Sequence, residues 1–261
     1  MKASWKHIVL NTMQTTTALF YAAAAGLILI SNTGSAQDGA KTPSLQEQIE
    51  ARSAQSGTKA DPAKKKAYAD GIEAVAASGV VDRATKKGDH APDFTLPNAT
   101  GKSITLSEEL KKGPVVLTWY RGGWCPYCNL QLAAYQAVLP EIEKLGATLI
   151  AVSPELPDRA LSTTEKNELK FQVLSDQDQK VAEKYNLIFK LTPEVAGYYK
   201  AAFDLNTFNG ESAAADELPL AATYVINTDG KITYSFLDAN YKKRAEPEAI
   251  LQALAELKNK D

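Results

Sequence analysis

The only two cysteines of the chain, Cys125 and Cys128, stand three residues apart in VVLTWYRGGWCPYCNLQL, residues 115–132. Such a pair can clip a metal, form a structural bridge, exchange electrons as a dithiol, or supply a nucleophile that attacks peroxide. A zinc site needs three or four ligands, and beyond residue 36 the chain adds one histidine, His90. Metal binding is therefore not expected, and no cofactor is implied. His90, just ahead of Ala91–Pro92, reads as a structural or surface residue. A papain-like cysteine would need such an imidazole placed as its base, and nothing around His90 suggests that role. A purely structural bridge would close a loop too short to constrain the unfolded chain strongly. Two redox readings remain, dithiol exchange and attack on peroxide.

The neighbouring elements favour redox chemistry. PVVLTWY (114–120) is a continuous β-branched and aromatic run, the pattern of a strand buried on both faces. PYCNLQLAAYQAVLPEIEKLG (126–146) then carries Leu130, Ala134, Ala137, Val138 and Leu145 at helical spacing, with Gly146 as its stop. The pair thus sits at the carboxyl end of a buried strand, where α/β sheets place their chemistry. Cys125 takes the N-cap and Pro126 the first helical position, where its missing N–H costs nothing. Unpaired backbone N–H groups and the positive end of the helix dipole then favour an exposed thiolate at Cys125. Cys128, one turn on, lies on the same face at bonding distance. Arg121 adds positive charge, while Trp124 and Tyr127 pack or shield. The candidate catalytic residues are Cys125 and Cys128, with Arg121, Trp124 and Pro126 in support.

Composition excludes several other functions. A hydrophobic share of 44%, a charged share of 23% and a formal net charge of −2 fit a globular protein and carry no signal for nucleic acid or an anionic membrane. The runs Lys64–Lys66 and Lys111–Lys112 have acids nearby and read as solvated faces. The first 36 residues have another purpose. Lys2 and Lys6 precede the apolar run ALFYAAAAGLILI (18–30), and small residues at Gly34 and Ala36 follow. That is the design of a secretory signal peptide with cleavage after Ala36, and the run is short for a membrane span of about 20 residues. The mature protein is expected to be exported, periplasmic or secreted, with no membrane attachment. Two cysteines are too few for a disulfide framework in a protein of this size, and an exported dithiol needs a donor that keeps it reduced.

Residues 37–88 read as a helical or linker extension. SLQEQIEARSA has a helical pattern, and PAKKKAYADGIEAVAASG (62–79) places Tyr68, Ile72, Val75 and Ala76 at helical spacing between Pro62 and Gly79. The extension is expected to pack on the main domain or on a second copy of the chain, as in a homodimer. From residue 89, APDFTLPNATGKSITLSEEL reads as two short strands around Asn98–Gly101, ending at a Ser107 N-cap. ATLIAVS and FQVLSD are further strands, with a helix expected around TEKNELK. QKVAEKYN and PEVAGYYKAAF look helical, ATYVINTDGKITYSFL is a hairpin, and EPEAILQALAELKNK closes as an amphipathic helix. This order predicts an α/β, thioredoxin-like fold over residues 89–261, a central mixed sheet flanked by helices.

With these residues in place, the chain resembles the peroxiredoxin superfamily, the alkyl hydroperoxide reductase/thiol-specific antioxidant domain on a thioredoxin fold, and within it a branch marked by YRGGWCPYC. The resemblance also covers DHAPDFTLPNATGKSITLSEEL, LIAVSPELPD, FQVLSD and ATYVINTDGKI. It implies an antioxidant peroxidase that reduces hydrogen peroxide or organic hydroperoxides and is re-reduced by a thioredoxin-type protein. The family pattern places Pro and Thr or Ser seven and three residues before the attacking cysteine. Counted from Cys128 these are Arg121 and Cys125; counted from Cys125 they are Thr118 and Gly122. The first register is the better match and makes Cys128 the attacker, whereas helix-cap geometry favours Cys125. The family's distal Arg would fall near Ala221 and is missing, and Ala221 or Ala222 also stands where thioredoxins have a proline, with Pro219 out of register. Arg121 and the helix N–H groups are then the expected stabilisers of developing charge. A thiol–disulfide oxidoreductase acting on exported proteins, with Cys125 attacking, is the alternative, and a redox sensor or binding module without turnover is a third reading.

Overall fold

Proline, glycine and capping side chains divide the chain into its elements. In a computed structural model, residues 42–57, 61–211 and 216–259 are described; the signal segment 1–36 and its cleavage point after Ala36 lie outside them. Helix α1 spans Leu45–Gly57, and α2 spans Pro62–Ala77 with Asp61 accepting the N–H of Ala63 and Pro62 in the first turn. Gly79, at φ +71°, turns the chain into the short α3, Val80–Arg83. Strands β1 (Thr95–Pro97) and β2 (Ser103–Thr105) pair antiparallel, and α4 follows at Leu106–Leu110. The expected Ser107 cap moves to Thr105. Asp93 does the capping work instead, its Oδ1 accepting the Ser107 N–H at 3.0 Å.

Strand β3 (Val115–Trp119) leads into α5 (Pro126–Ala137) and α6 (Leu139–Lys144). One helix was expected over 126–146, but it breaks at Val138. Pro140 has no N–H to give Gln136, so the ladder is interrupted there. β4 is Thr148–Ser153, α7 Pro157–Lys166 and β5 Gln172–Ser175. The helix expected around TEKNELK therefore starts earlier, at Pro157, and ends before Leu169 turns inward to a buried position. Next come α8 (Lys180–Lys184), β6 (Ile188–Lys190), α9 (Pro193–Ala202), α10 (Asn206–Asn209) and β7 (Glu217–Pro219). The small β6–β7 pair was not legible in the sequence; each strand is three residues long and has no room to show alternation. β8 (Thr223–Ile226) and β9 (Ile232–Phe236) form the expected hairpin, and α11 (Pro247–Lys258) closes the chain.

The central sheet has the order β5-β4-β3-β8-β9. β3 runs parallel to β4 and β4 to β5, while β8 and β9 are antiparallel additions, so the sheet is mixed as expected. Alternation along β3 sends Val115, Leu117 and Trp119 to one buried cluster and Val116 and Tyr120 to the other. Burying each such apolar side chain is worth about 1.5–3 kcal/mol. The second cluster gathers Leu132 and Tyr135 of α5, Ile250 and Leu254 of α11, Leu45 and Ile49 of α1, and both cysteines. The extension is thereby packed on the main domain. Glu246 fastens it further by accepting the α1 N–H groups of Leu45 at 3.0 Å and Gln46 at 2.8 Å.

Candidate active site

After Trp119 the chain leaves the sheet through Tyr120, whose N–H donates to the Val152 carbonyl at 3.0 Å. It then makes the tight Arg121–Trp124 turn before α5. Glycine is required twice in that turn. Gly122 has φ +140°, with the Trp124 ring where a side chain would go, and a Cβ at Gly123 would lie 2.1 Å from Thr163 Oγ1. Glu155 holds the turn from beneath. Its Oε1 accepts the Gly123 N–H at 2.9 Å, and its Oε2 accepts the hydroxyls of Tyr120 at 2.9 Å and Thr163 at 3.2 Å. Burial raises its carboxyl above the usual range, against these hydrogen bonds.

Cys125 is the N-cap and Pro126 the first helical residue, as expected; the Cys125 carbonyl accepts the N–H groups of Cys128 and Asn129, each at 3.1 Å. The expected exposed thiolate at Cys125 is not found. Cys125 is 1% exposed and Cys128 0%, and the Cys125 side chain makes no capping hydrogen bond. Both cysteines are free. Burial, followed by its hydrogen bond to Cys128, pushes the Cys125 thiol well up.

Cys128 goes the other way. Burial alone would raise it, but the Cys125 hydrogen bond, the guanidinium groups of Arg244 and Arg121, and the Arg121 backbone N–H together lower it to about 5. Arg244 Nη2 lies 3.6 Å from Cys128 Sγ. Its Nε donates to Gln131 Oε1 at 2.6 Å, and its Nη1 donates to the carbonyls of Tyr241 and Lys243. Gln131 is fixed in turn by donating to Thr118 Oγ1 at 2.8 Å. A sulfur held anionic by a guanidinium, beside a second sulfur held protonated, can attack an electrophile and then be resolved.

Arg121 is 2% exposed. It donates to the Tyr199 hydroxyl and lies 4.4 Å from the Tyr241 ring centroid and 5.1 Å from that of Trp124. Trp124 packs at 5.0 Å on Phe203 and 5.4 Å on Tyr199, so it serves as a roof over the turn. Cys125, Cys128, Arg121, Trp124 and Pro126 are therefore brought together. His90 stands elsewhere, in a backbone bridge with Lys231. Among the described residues no three His, Cys, Asp or Glu side chains could hold a metal ion. Sequence reading missed Arg244, Glu155, Gln131, Tyr199 and Tyr241. Arg121 is not the sole cationic stabiliser, as was expected, because Arg244 reaches Cys128 from beyond the last strand. Its only linear trace is a basic cluster, Lys242–Arg244, far from the cysteines in the chain.

The model of the AhpC/TSA family matches residues 87–235. The chain is 26% identical over 171 residues to a peroxiredoxin Bcp of Escherichia coli strain K12, covering 66% of this chain and 96% of that protein. It is 33% identical over 112 residues to a chloroplastic peroxiredoxin Q of Triticum aestivum, covering 43% of this chain and 51% of that one. A solved structure, the peroxidoxin BcpB of Mycobacterium tuberculosis, aligns with a TM-score of 0.52 at 22% identity, over 66% of this chain and 98% of that one. This likeness shows the thioredoxin-like fold that the order of elements predicts.

Proposed function

The chain belongs to the AhpC/TSA family, and on that premise we propose that it is a thiol-dependent peroxidase in which Cys128 attacks. The observation that carries this reading is the Cys128 sulfur held 3.6 Å from Arg244 Nη2 beside Cys125, surroundings that lower its thiol. The Cys128 thiolate attacks the terminal oxygen of a hydroperoxide. The O–O bond breaks, the alkoxide takes the Cys125 proton and leaves as the alcohol, and Cys128 becomes a sulfenic acid. The Cys125 thiolate then attacks the Cys128 sulfur, hydroxide leaves, and the disulfide forms. Arg244 and Arg121 favour the anion at each stage. In this reading Arg244 supplies the charge of the arginine that the resemblance places near Ala221.

The alternative, in which Cys125 opens exchange with a client disulfide, has less support because burial and its bond to Cys128 keep Cys125 protonated. A thioredoxin-type protein is the donor that the resemblance implies for returning the disulfide to the dithiol. The signal-like segment 1–36 supports action outside the cytosol, and among the described residues no helix is long and apolar enough to cross a membrane. N-terminal sequencing of the exported protein tests cleavage after Ala36. For the chemistry, Cys128→Ser abolishes hydrogen peroxide consumption in stopped flow, and Cys125→Ser leaves one turnover with a trapped sulfenic acid. A wild-type rate no greater than that of a free thiol would sink the peroxidase reading.

A further inference from the structure

A cavity of about 550 Å³ lies over the site, walled in part by α1 and α2. Its wall contains Cys125 but not Cys128, so Cys125 is the cysteine beside a molecule inside. Four cations share that wall, Lys64, Lys65, Arg121 and Lys242, with no Asp or Glu among its described residues. This is a local concentration of positive charge in a chain of formal net charge −2. Among the described residues, none of the three lysines is in an ion pair with a carboxylate. Lys242 Nζ instead reaches Ser53 Oγ at 3.1 Å, and the buried Arg121 Nε has no hydrogen-bond partner. A cavity of this size suits a small molecule. Lys64 and Lys65 stand before residue 87, where the match to the family begins, so this part of the wall lies outside the matched residues.

We propose that the cavity takes the reductant of the Cys125–Cys128 disulfide, and that this reductant is a low-molecular-weight thiol of tripeptide size bearing carboxylates. The proposal rests on the dithiol–disulfide cycle above and names as its electron donor a small thiol in place of the thioredoxin-type protein that the resemblance implies. The thiolate of the small molecule attacks Cys125 Sγ, and the Cys125–Cys128 bond breaks. The electron pair leaves on Cys128 Sγ, the better leaving group because its thiol has the lower pKa. A mixed disulfide on Cys125 results. A second small thiolate attacks the small molecule's sulfur in that bond, and Cys125 leaves and takes up a proton. Two thiols are oxidised to one small disulfide, and the protein returns to one thiol and one thiolate.

The test starts from the full chain oxidised with diamide and cleared of it, so that the disulfide is made without relying on peroxidase activity. Reduction is then followed by thiol titration with glutathione as the anionic probe, 2-mercaptoethanol as the neutral one and cysteamine as the cationic one, at equal thiolate concentration. Glutathione is expected to be about tenfold faster than 2-mercaptoethanol, with cysteamine slowest and the advantage shrinking in salt. In the triple variant Lys64→Ala/Lys65→Ala/Lys242→Ala the ratio of glutathione to 2-mercaptoethanol rates falls towards one. Acid-quenched samples carry glutathione on Cys125. Equal rates for the three probes, an unchanged ratio in the variant, or glutathione on Cys128 overturns the proposal. So does a thioredoxin-type protein that reduces the disulfide where glutathione does not. Failure to consume peroxide with a normal glutathione arm counts against the peroxidase reading alone.

Discussion

Arg244 and Cys128 are 116 residues apart in the chain, yet their 3.6 Å approach joins the Cys125 hydrogen bond in favouring the Cys128 thiolate. Replacing Arg244 by methionine keeps much of the side-chain volume and removes the cation. Cys128 is then expected to titrate about 1–3 pH units higher, read by thiolate absorbance near 240 nm. The sign for activity follows from the direction of the shift. With Cys128 lowered to about 5, the thiolate is present above that pH, and the peroxide rate falls as pH drops through it. In Arg244→Met the fall moves to higher pH and reaches the neutral range. A pH profile that stays in place would show that Arg244 does not hold the thiolate. Arg121 also lowers Cys128, after Arg244 in weight, and its guanidinium is shared with Tyr199 and the ring of Tyr241.

At the level of elements, the site depends on a turn clamped between β3 and α7. A methyl at Gly123 would meet Thr163 Oγ1 at 2.1 Å, so Gly123→Ala forces the turn or α7 to move. Overpacking of this kind costs about 1–3 kcal/mol, measurable in urea unfolding. Removing the obstructing hydroxyl in Gly123→Ala/Thr163→Ala should return part of the loss, and a double variant no better than the single one would disprove the clash. The α1 helix has a comparable anchor in Glu246, which accepts two of its first N–H groups. Glu246→Ala should cost about 0.5–2 kcal/mol, as the loss of a helix cap does. The effect should be visible as faster hydrogen exchange in residues 45–57, and unchanged exchange there would mean that apolar packing alone holds α1.

At the scale of the whole molecule, the extension and the site share one core. Ile49 of α1, at 0% exposure, belongs to the same apolar cluster as Cys125 and Cys128. Ile49→Ala should cost about 2–5 kcal/mol, the range for large-to-small changes in a packed interior. It should also speed alkylation of Cys125, because α1 forms part of the cavity wall. Destabilisation without faster alkylation would mean that α1 does not limit access to that sulfur.

The sequence by itself determined the strand PVVLTWY, the cap at Cys125, the proline that opens α5, the closing hairpin and the closing helix, because each rests on local spacing and backbone chemistry. It also left two answers for the attacking sulfur, one from the helix cap and one from the family register. Tertiary structure supplies the grounds on which Cys128 is proposed. Burial removed the advantage of the helix N-terminus at Cys125, while the Cys125 hydrogen bond and a guanidinium from beyond the last strand, oriented by Gln131, lowered Cys128 instead. The cavity beside Cys125 was equally hidden, since Lys64 and Lys65, in a run read as a solvated face, share a wall with Lys242 only once α2 and the segment after β9 line the same space. Charge at a buried sulfur is a sum over neighbours in space, and a linear pattern records only those close in the chain.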